Sequence, residues 1–282
     1  MVGGDALTAP RTMSVLEDAP GLMDALAAER TPRFLATRSP EGEPNVVPCL
    51  SLRPADDAED VVFFGNFLLR KTIANLERDP RVAILVLTPS LAGWVLRGDF
   101  LEFQRTGPYV ARQNDSRMLR YNAYTGIRNA GLIRVRAVER TFRLSRARTA
   151  VDFMLARLAA ARGSGVRDGT VVVPAPARRE FARMAAVKAI AWVGPDGHPT
   201  VLPALSLQPA GARAMVARVP SGLDLPPAAL PPEGAPVAAN VLTAEAISYQ
   251  AKGSWRATGR TGRILVRSVY AGGPPLPGGR VA

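Results

Sequence analysis

ATRSPEGEPNVVPCLSLRP, Ala36 to Pro54, recurs as AWVGPDGHPTVLPALSLQP, Ala191 to Pro209. At a constant shift of 155, ten of the nineteen positions are identical: Ala36, Pro40, Gly42, Pro44, Val46, Pro48, Leu50, Ser51, Leu52 and Pro54. Chance matching in this composition would give about two. The chain therefore contains a tandem duplication. The same shift carries Val82 onto Val237, Ala83 onto Ala238, Leu87 onto Leu242, Thr88 onto Thr243 and Gly98 onto Gly253. Further on the shift falls to 131, where GLIRVRAVE (Gly131–Glu139) matches GRILVRSVY (Gly262–Tyr270) at Gly, Ile, Val, Arg and Val. The first copy thus holds 24 extra residues, in the neighbourhood of 108–130.

Each copy has one grammar. A β-rich run meets a Pro-Gly turn, SPEGEP or GPDGHP, which closes a hairpin. A second strand alternates through Val46, Pro48, Leu50 and Leu52. A third strand, a short helix in the first copy and three further strands follow. Many short strands, tight turns and few helices indicate a mainly β chain: an antiparallel β-barrel with flanking helices, built twice. The run Arg148–Arg162 has helical spacing and is expected to join the two barrels, and Pro174–Ala186 reads as a second, shorter helix. The expected division is a first barrel over 1–147, a helical linker over 148–175 and a second barrel over 176–282.

The 282 residues are 47% hydrophobic, enough for one large core or two medium ones. No apolar run approaches the ~20 residues of a membrane span. The first twenty residues lack a basic start followed by an apolar core, so no secretory signal is read, and a cytoplasmic protein is expected. A single cysteine, Cys49, excludes an intrachain disulfide framework and any multi-cysteine metal site. The lone histidine, His198, argues against histidine-based zinc or triad chemistry, so no metal is expected. Net charge is +12, yet only Lys71, Lys188 and Lys252 of the 36 basic residues are lysine. The 33 arginines are scattered without interleaved aromatics, which reads as compositional bias more readily than as a nucleic-acid surface. A positive field still assists capture of a phosphorylated ligand.

In VVFFGNFLLRKTIANLERDPRVAILVL, Val61 to Leu87, an apolar strand runs into Arg70-Lys71-Thr72, turns helical, and becomes a strand again after Asp79-Pro80. A cationic pair at such a junction is a solvated turn in most proteins. It also suits a phosphate, because guanidinium gives bidentate contacts and ammonium a point charge, beside a hydroxyl and free helix N–H groups.

The segments FLATRSPEGEPNVVP, FFGN, RKTIANLERDPRVAILV and WVLRGDFLEF resemble the FMN-binding split-barrel family of pyridoxamine-phosphate oxidase and its relatives. Its most specific run, K-T-x-x-N-L-x-x-x-P-R-V-A, is matched by Lys71, Thr72, Asn75, Leu76, Pro80, Arg81, Val82 and Ala83. The tail VYAGGPPLPGGRVA resembles the family's C-terminal tail. The resemblance implies six-stranded split barrels paired as a dimer, with FMN at the interface between barrels. Carried onto this chain, Arg70, Lys71 and Thr72 would hold the phosphate, with Asn75 beside them. Pro48, Cys49, Leu50, Ser51, Phe64, Gly65 and Asn66 would line the ring and ribityl chain, and Trp255 would reach across from the second barrel. Because the chain brings its own second barrel, tandem split barrels packed as an intramolecular pseudo-dimer are expected; a homodimer of whole chains stays open.

At shift 155, Arg70 falls on Leu225 and Lys71 on Pro226, inside a proline-rich run. The second copy is therefore read as a kept fold with a lost site. Cys49 reads as a small buried residue beside the ring. His198 is read as a turn residue, although some relatives bind haem. The insert carries Tyr109, Tyr121 and Tyr124 and reads equally as a lid or as a surface loop. No catalytic acid or base stands out, as expected where a flavin carries the chemistry. The reading is an FMN-dependent oxidoreductase acting on a small-molecule substrate, with no nucleic-acid or membrane partner. A deazaflavin could replace FMN, and the alternative is a flavin- or haem-binding carrier, sensor or scavenger without turnover.

Overall fold

The computed structural model describes residues 14–66, 69–115, 127, 129–162, 169–226, 229–273 and 278–282. The first half runs α1 (Leu22–Ala27), β1 (Arg33–Arg38), β2 (Pro44–Pro48), β3 (Arg53–Pro54), β4 (Val61–Gly65), α2 (Arg70–Leu76), β5 (Arg81–Leu87), β6 (Ala92–Gln104), α3 (Pro108–Asn114) and β7 (Ala130–Arg143). Helices α4 (Arg146–Arg162) and α5 (Ala175–Ala182) lead into the second half. That half contains β8 (Val187–Val193), β9 (Pro199–Pro203), β10 (Gln208–Ala210), β11 (Ala214–Arg218), β12 (Pro236–Leu242), β13 (Ser248–Thr258) and β14 (Thr261–Ala271). Among the described residues, no helix is long and apolar enough to cross a membrane.

The duplication reappears as topology. The first sheet is ordered β2-β1-β5-β6-β7-β4-β3, and the second, written from its other edge, β9-β8-β12-β13-β14-β11-β10. Strand for strand this is one order. The hairpin turns share Gly42 and Gly197, whose φ values of 80° and 75° suit glycine. Both long hairpins bulge at the same glycine, with Gly98 opposite Val135 and Gly253 opposite Val266. A side chain there would collide with the carbonyl of Arg134 or, equivalently, Leu265, so both copies keep glycine at the bulge. Each half has seven strands where six were expected. The added strands, β3 and β10, are short sheet edges formed just past the Leu-Ser-Leu repeat. The sheets are open rather than closed barrels, since neither pair of edge strands meets.

Strand parity explains how the halves join. In β1 and β5, Leu35, Val82, Ile84 and Val86 point into the first half's own core with Trp94 and Leu96. The alternate residues Phe34, Ala36, Ala83, Leu85 and Leu87 point the other way, into a core that also holds Ile190, Trp192, Val201, Leu202 and Val237 of the second half. A strand covered on both faces needs an unbroken apolar run, which RVAILVL supplies. The two sheets fit an intramolecular pseudo-dimer. Charged turns border this core: Arg38 and Arg81 donate to the carbonyls of Gly197 and Asp196, and Arg97 pairs with the Asp196 carboxylate. Helix α4 is seated on the second sheet. Its Ala156 and Ala160 pack on Ala210, Ala214 and Val216, and Gln208 donates to the Phe153 carbonyl at 2.8 Å.

Equivalent buried cations sit in both halves. Arg33 donates to the carbonyls of Leu50, Ala25, Leu26 and Ala28, tying α1 to the segment after β2. At shift 155 its counterpart is Lys188, whose Nζ lies 3.4 Å from the Leu205 carbonyl and 5.0 Å from the Phe153 ring. Lys188 is fully buried, and burial pushes its ammonium down to about 7. Between that value and the ordinary lysine range the unfolded chain holds a proton that the folded chain has released, so this residue's penalty is full below about pH 7 and fades as pH rises. Lys188→Met should therefore raise the melting temperature at pH 6, by about 2–4 °C for each kcal/mol gained, and raise it less at pH 10. Thermal scans at the two pH values check this; an equal or larger gain at pH 10 contradicts it.

Candidate functional site

A cavity of about 430 Å³ opens between the halves. From the first half it is lined by Asn45, by the segment Val47 to Ser51, by Gly65, and by Leu69 to Thr72 where α2 begins. From the second half come Asn240, Leu242, Ala246, Ser248, Gln250 and Tyr270, with Ala271, Gly272, Gly273 and Gly278 of the tail. The tail is held there by backbone pairing, as the Gly278 amide donates to the Ala271 carbonyl and the Ala271 amide to that of Gly279.

A buried polar seam joins the halves along the cavity. Asn45 Nδ2 donates to Thr72 Oγ1 at 3.2 Å and to Thr37 Oγ1 at 3.3 Å, and Asn75 Nδ2 donates to Thr37 Oγ1 at 2.9 Å. Across the interface, Gln250 Nε2 donates to Asn45 Oδ1 at 3.2 Å and to the Val46 carbonyl at 2.5 Å. Asn240 Nδ2 donates to the same carbonyl at 3.1 Å and accepts at Oδ1 from Ser248. Thr72 thus accepts from Asn45, and among the described residues no partner takes its hydroxyl proton.

Eight of the twelve residues singled out in the sequence line this cavity: Pro48, Cys49, Leu50, Ser51, Gly65, Arg70, Lys71 and Thr72. Four do not. Phe64 points into the first half's core, with its ring edge on Phe103. Asn66 is half-buried, and its backbone N–H donates to the Asn129 backbone carbonyl. Asn75 is buried in the seam beneath α2. Trp255 does not reach across: its indole lies over Gly262 in the shared core, because its parity along β13 is opposite to that of Ser248 and Gln250. Of the insert, Tyr121 and Tyr124 lie outside the described residues. Tyr109 packs on Phe63 with its hydroxyl on Asp57, away from the cavity. Gln113 of α3 buttresses the lining, its Nε2 donating to the Ser51 carbonyl at 2.7 Å, and the Gly65 amide donates to Ser51 Oγ at 3.1 Å.

Local reading missed Asn45 and every residue from the second half. A signal was present in the repeat. At shift 155, Asn240, Ser248 and Gln250 stand where the first copy has Leu85, Gly93 and Val95. Polar side chains on strand positions that are apolar or glycine in the sister copy mark a lined cavity. At the mirror position, Leu85, Val95, Phe142 and Leu144 pack with Leu205 and Leu223, and Leu225 lies against them. Apolar side chains gather at that second location, where the first has polar groups and glycines.

The electrostatics separate inert from available groups. Burial pushes the Cys49 thiol up to about 12, against smaller opposing effects from Ser51 and Arg33. Lys71 carries its Nζ 3.0 Å from the centroid of the Tyr270 ring. Burial pushes the Tyr270 phenol up, but Ser268 and the charges of Lys71 and Lys252 outweigh it and leave the phenol below its usual range.

Residues 21–146 match the family model for pyridoxamine 5'-phosphate oxidase. That match runs from α1 to the start of α4, so the first half of this chain is similar to that split-barrel family. No curated protein matches the chain in sequence. Among solved structures, it is similar to an FMN-binding protein from Syntrophomonas wolfei subsp. wolfei at 20% identity, over 47% of this chain and 88% of that one, with a TM-score of 0.37. An F420 reductase matches at 23% identity over 42% of this chain and 97% of its own, with a TM-score of 0.34. HutZ, the haem storage protein from Vibrio cholerae, matches at 15% identity over 46% and 94%, also with a TM-score of 0.34.

Because the thiolate is the reactive form, Cys49 should react with a disulfide reagent at pH 8 at least about 100-fold more slowly in the native protein than in denaturant. Absorbance of the released thiol checks this; comparable rates would contradict the buried placement.

Proposed function

We propose that the protein is an FMN-dependent oxidoreductase acting on a small organic substrate, with one flavin per chain. The observation that carries the reading is the chemistry of the cavity between the halves. Arg70, Lys71 and the donating Thr72 hydroxyl meet there, while Val47, Pro48, Leu50, Leu242, Ala246 and Ala271 offer apolar walls. Cations with a hydroxyl fit a phosphate, and apolar walls fit a flat ring. A volume of about 430 Å³ lies within the range of small-molecule sites.

Arg70, Lys71 and Thr72 would hold the phosphate, and the segment Pro48 to Ser51 with Gly65 would lie along the ring and ribityl chain. Bound there, FMN would supply the hydride chemistry, which needs no catalytic acid from the protein. The residues of the chain position the group, exclude water and complement its charge. The Gln250 and Asn240 amides hold the segment after Asn45 against the second half. Single occupancy follows from Leu225 and Pro226 standing for Arg70 and Lys71, and from the side chains packed at the mirror location. A deazaflavin would use the same phosphate and ring contacts. A histidine-ligated haem is disfavoured, because the only histidine, His198, sits in the turn docked on Arg38 and Arg81 and does not line the cavity.

Replacing Arg70 and Lys71 together with alanine should weaken FMN binding by about two to four powers of ten, at roughly 1.5–3 kcal/mol for each charge-assisted contact. Titration of apo-protein followed by flavin fluorescence measures both affinity and stoichiometry. Unchanged affinity in the double variant, or two flavins per chain, would refute the proposal. Bleaching of the bound flavin by a reduced nicotinamide separates an enzyme from a carrier.

A further inference from the structure

The chain has three lysines among 36 basic residues; Lys71 lines the cavity from the first half, and Lys252 stands two residues along β13 from Gln250, which lines it from the second. Lys252 follows Gln250 by two residues on β13 and so shares its face; Lys252 pairs with Ser268 on β14 just as Gln250 pairs with Tyr270. Lys71 comes from α2 and rests on the Tyr270 ring. Among the described residues neither lysine is in an ion pair. The acidic residues nearest Lys252 are committed elsewhere or act at longer range: Glu43 pairs with Arg267 at 3.5 Å, and Glu41 interacts mainly with Ser39. Lys252 is held below the usual lysine range, first by burial and then by the charge of Lys71; Tyr270, Glu43 and Glu41 offset part of this.

Comparison of the two copies sharpens the point. The first half carries Arg97 and Glu139 at the positions of Lys252 and Tyr270, and these two form an ion pair at 3.4 Å. The second half keeps the cation and has a tyrosine where the carboxylate stood. Two like charges, each partly removed from water and lacking a close counterion, cost free energy unless an anion joins them. Lys71 and Tyr270 both line the cavity, and Lys252 shares the strand face that carries Gln250 to it.

We propose that Lys252 and Lys71 form a two-lysine clamp, supplied by both halves, for the phosphate monoester of the ligand, and that the Tyr270 ring is a positioning residue for Lys71. The inference rests on the flavin reading and extends it: the second half supplies charge to the one functional site as well as walls. A phosphate monoester dianion accepts from both ammonium groups, with Thr72 and Arg70 completing the shell. The clamp makes the site select a phosphorylated flavin over riboflavin, which has the same ring and no phosphate.

The test compares FMN and riboflavin binding to apo-protein by fluorescence quenching, for the wild type, Lys252→Gln, Tyr270→Phe and Tyr270→Leu. Lys252→Gln should weaken FMN at least tenfold and leave riboflavin within threefold, with a shallower salt dependence for FMN. Tyr270→Phe keeps the ring face and should bind FMN like the wild type. Tyr270→Leu should weaken FMN alone. A Lys252→Gln protein that binds FMN as the wild type does, or that loses both flavins equally, overturns the clamp, the latter result meaning a structural role. If the wild type binds neither flavin, the flavin reading fails and inorganic phosphate decides the clamp. Thermal stabilisation by phosphate that is lost in Lys252→Gln supports it, and no stabilisation of the wild type overturns it.

Discussion

The Val46 carbonyl accepts hydrogen bonds from two side-chain amides of the other half, Gln250 and Asn240, and the site depends on that contact. Apolar surfaces alone would let the two sheets settle in several registers, because the hydrophobic effect has no direction. Buried amides are different. Each must find its partner or forfeit the cost of its desolvation, about 1–3 kcal/mol per unmade bond. The seam from Asn75 through Thr37, Asn45 and Gln250 to Asn240 and Ser248 is satisfied only when the halves meet in one register. That register brings Arg70, Lys71 and Thr72 opposite Tyr270 and the tail glycines.

A symmetric pair of barrels has two equivalent interface locations, and this chain treats them differently. At one, polar residues and glycines leave a cavity. At the other, Leu85, Val95, Phe142 and Leu144 belong to the shared apolar core, and Leu225 packs against it. Each fully buried large aliphatic or aromatic side chain contributes roughly 1.5–3 kcal/mol. Apolar packing at one location therefore strengthens the interface on which the other relies. One chain carrying two diverged halves permits this division, whereas identical subunits must present the same residues at both locations.

The repeat and its constant shift made the double fold, the hairpin turns and the equivalence of Gly98 and Gly253 legible from the sequence, while the bulge at those glycines was not. The RKT junction was legible too, because three polar residues interrupt an apolar run where an element changes. What escaped was set by strand parity and by contacts between residues far apart in the chain. Phe64 and Trp255 sit in the right strands and face away from the cavity, and one residue of register decides that. Strands β3 and β10 are too short to show alternation. Lys252 and Tyr270 are separated from Lys71 by most of the chain and gain meaning only against Arg97 and Glu139 in the sister copy. Asn240, Ser248 and Gln250 are legible only as polar residues at positions that are apolar or glycine in the sister copy.

The central claim is that the two halves are one cooperative unit with a shared core and a shared site. Differential scanning calorimetry of the whole chain measures this directly, because a single cooperative unit has equal calorimetric and van't Hoff enthalpies. The account predicts one endotherm with a ratio near one, since Phe34, Leu85, Trp192 and Val237 belong to one core and no half can melt without exposing it. Two resolved transitions, each with the enthalpy of about half the chain, would show that the halves fold as independent domains and would contradict the account.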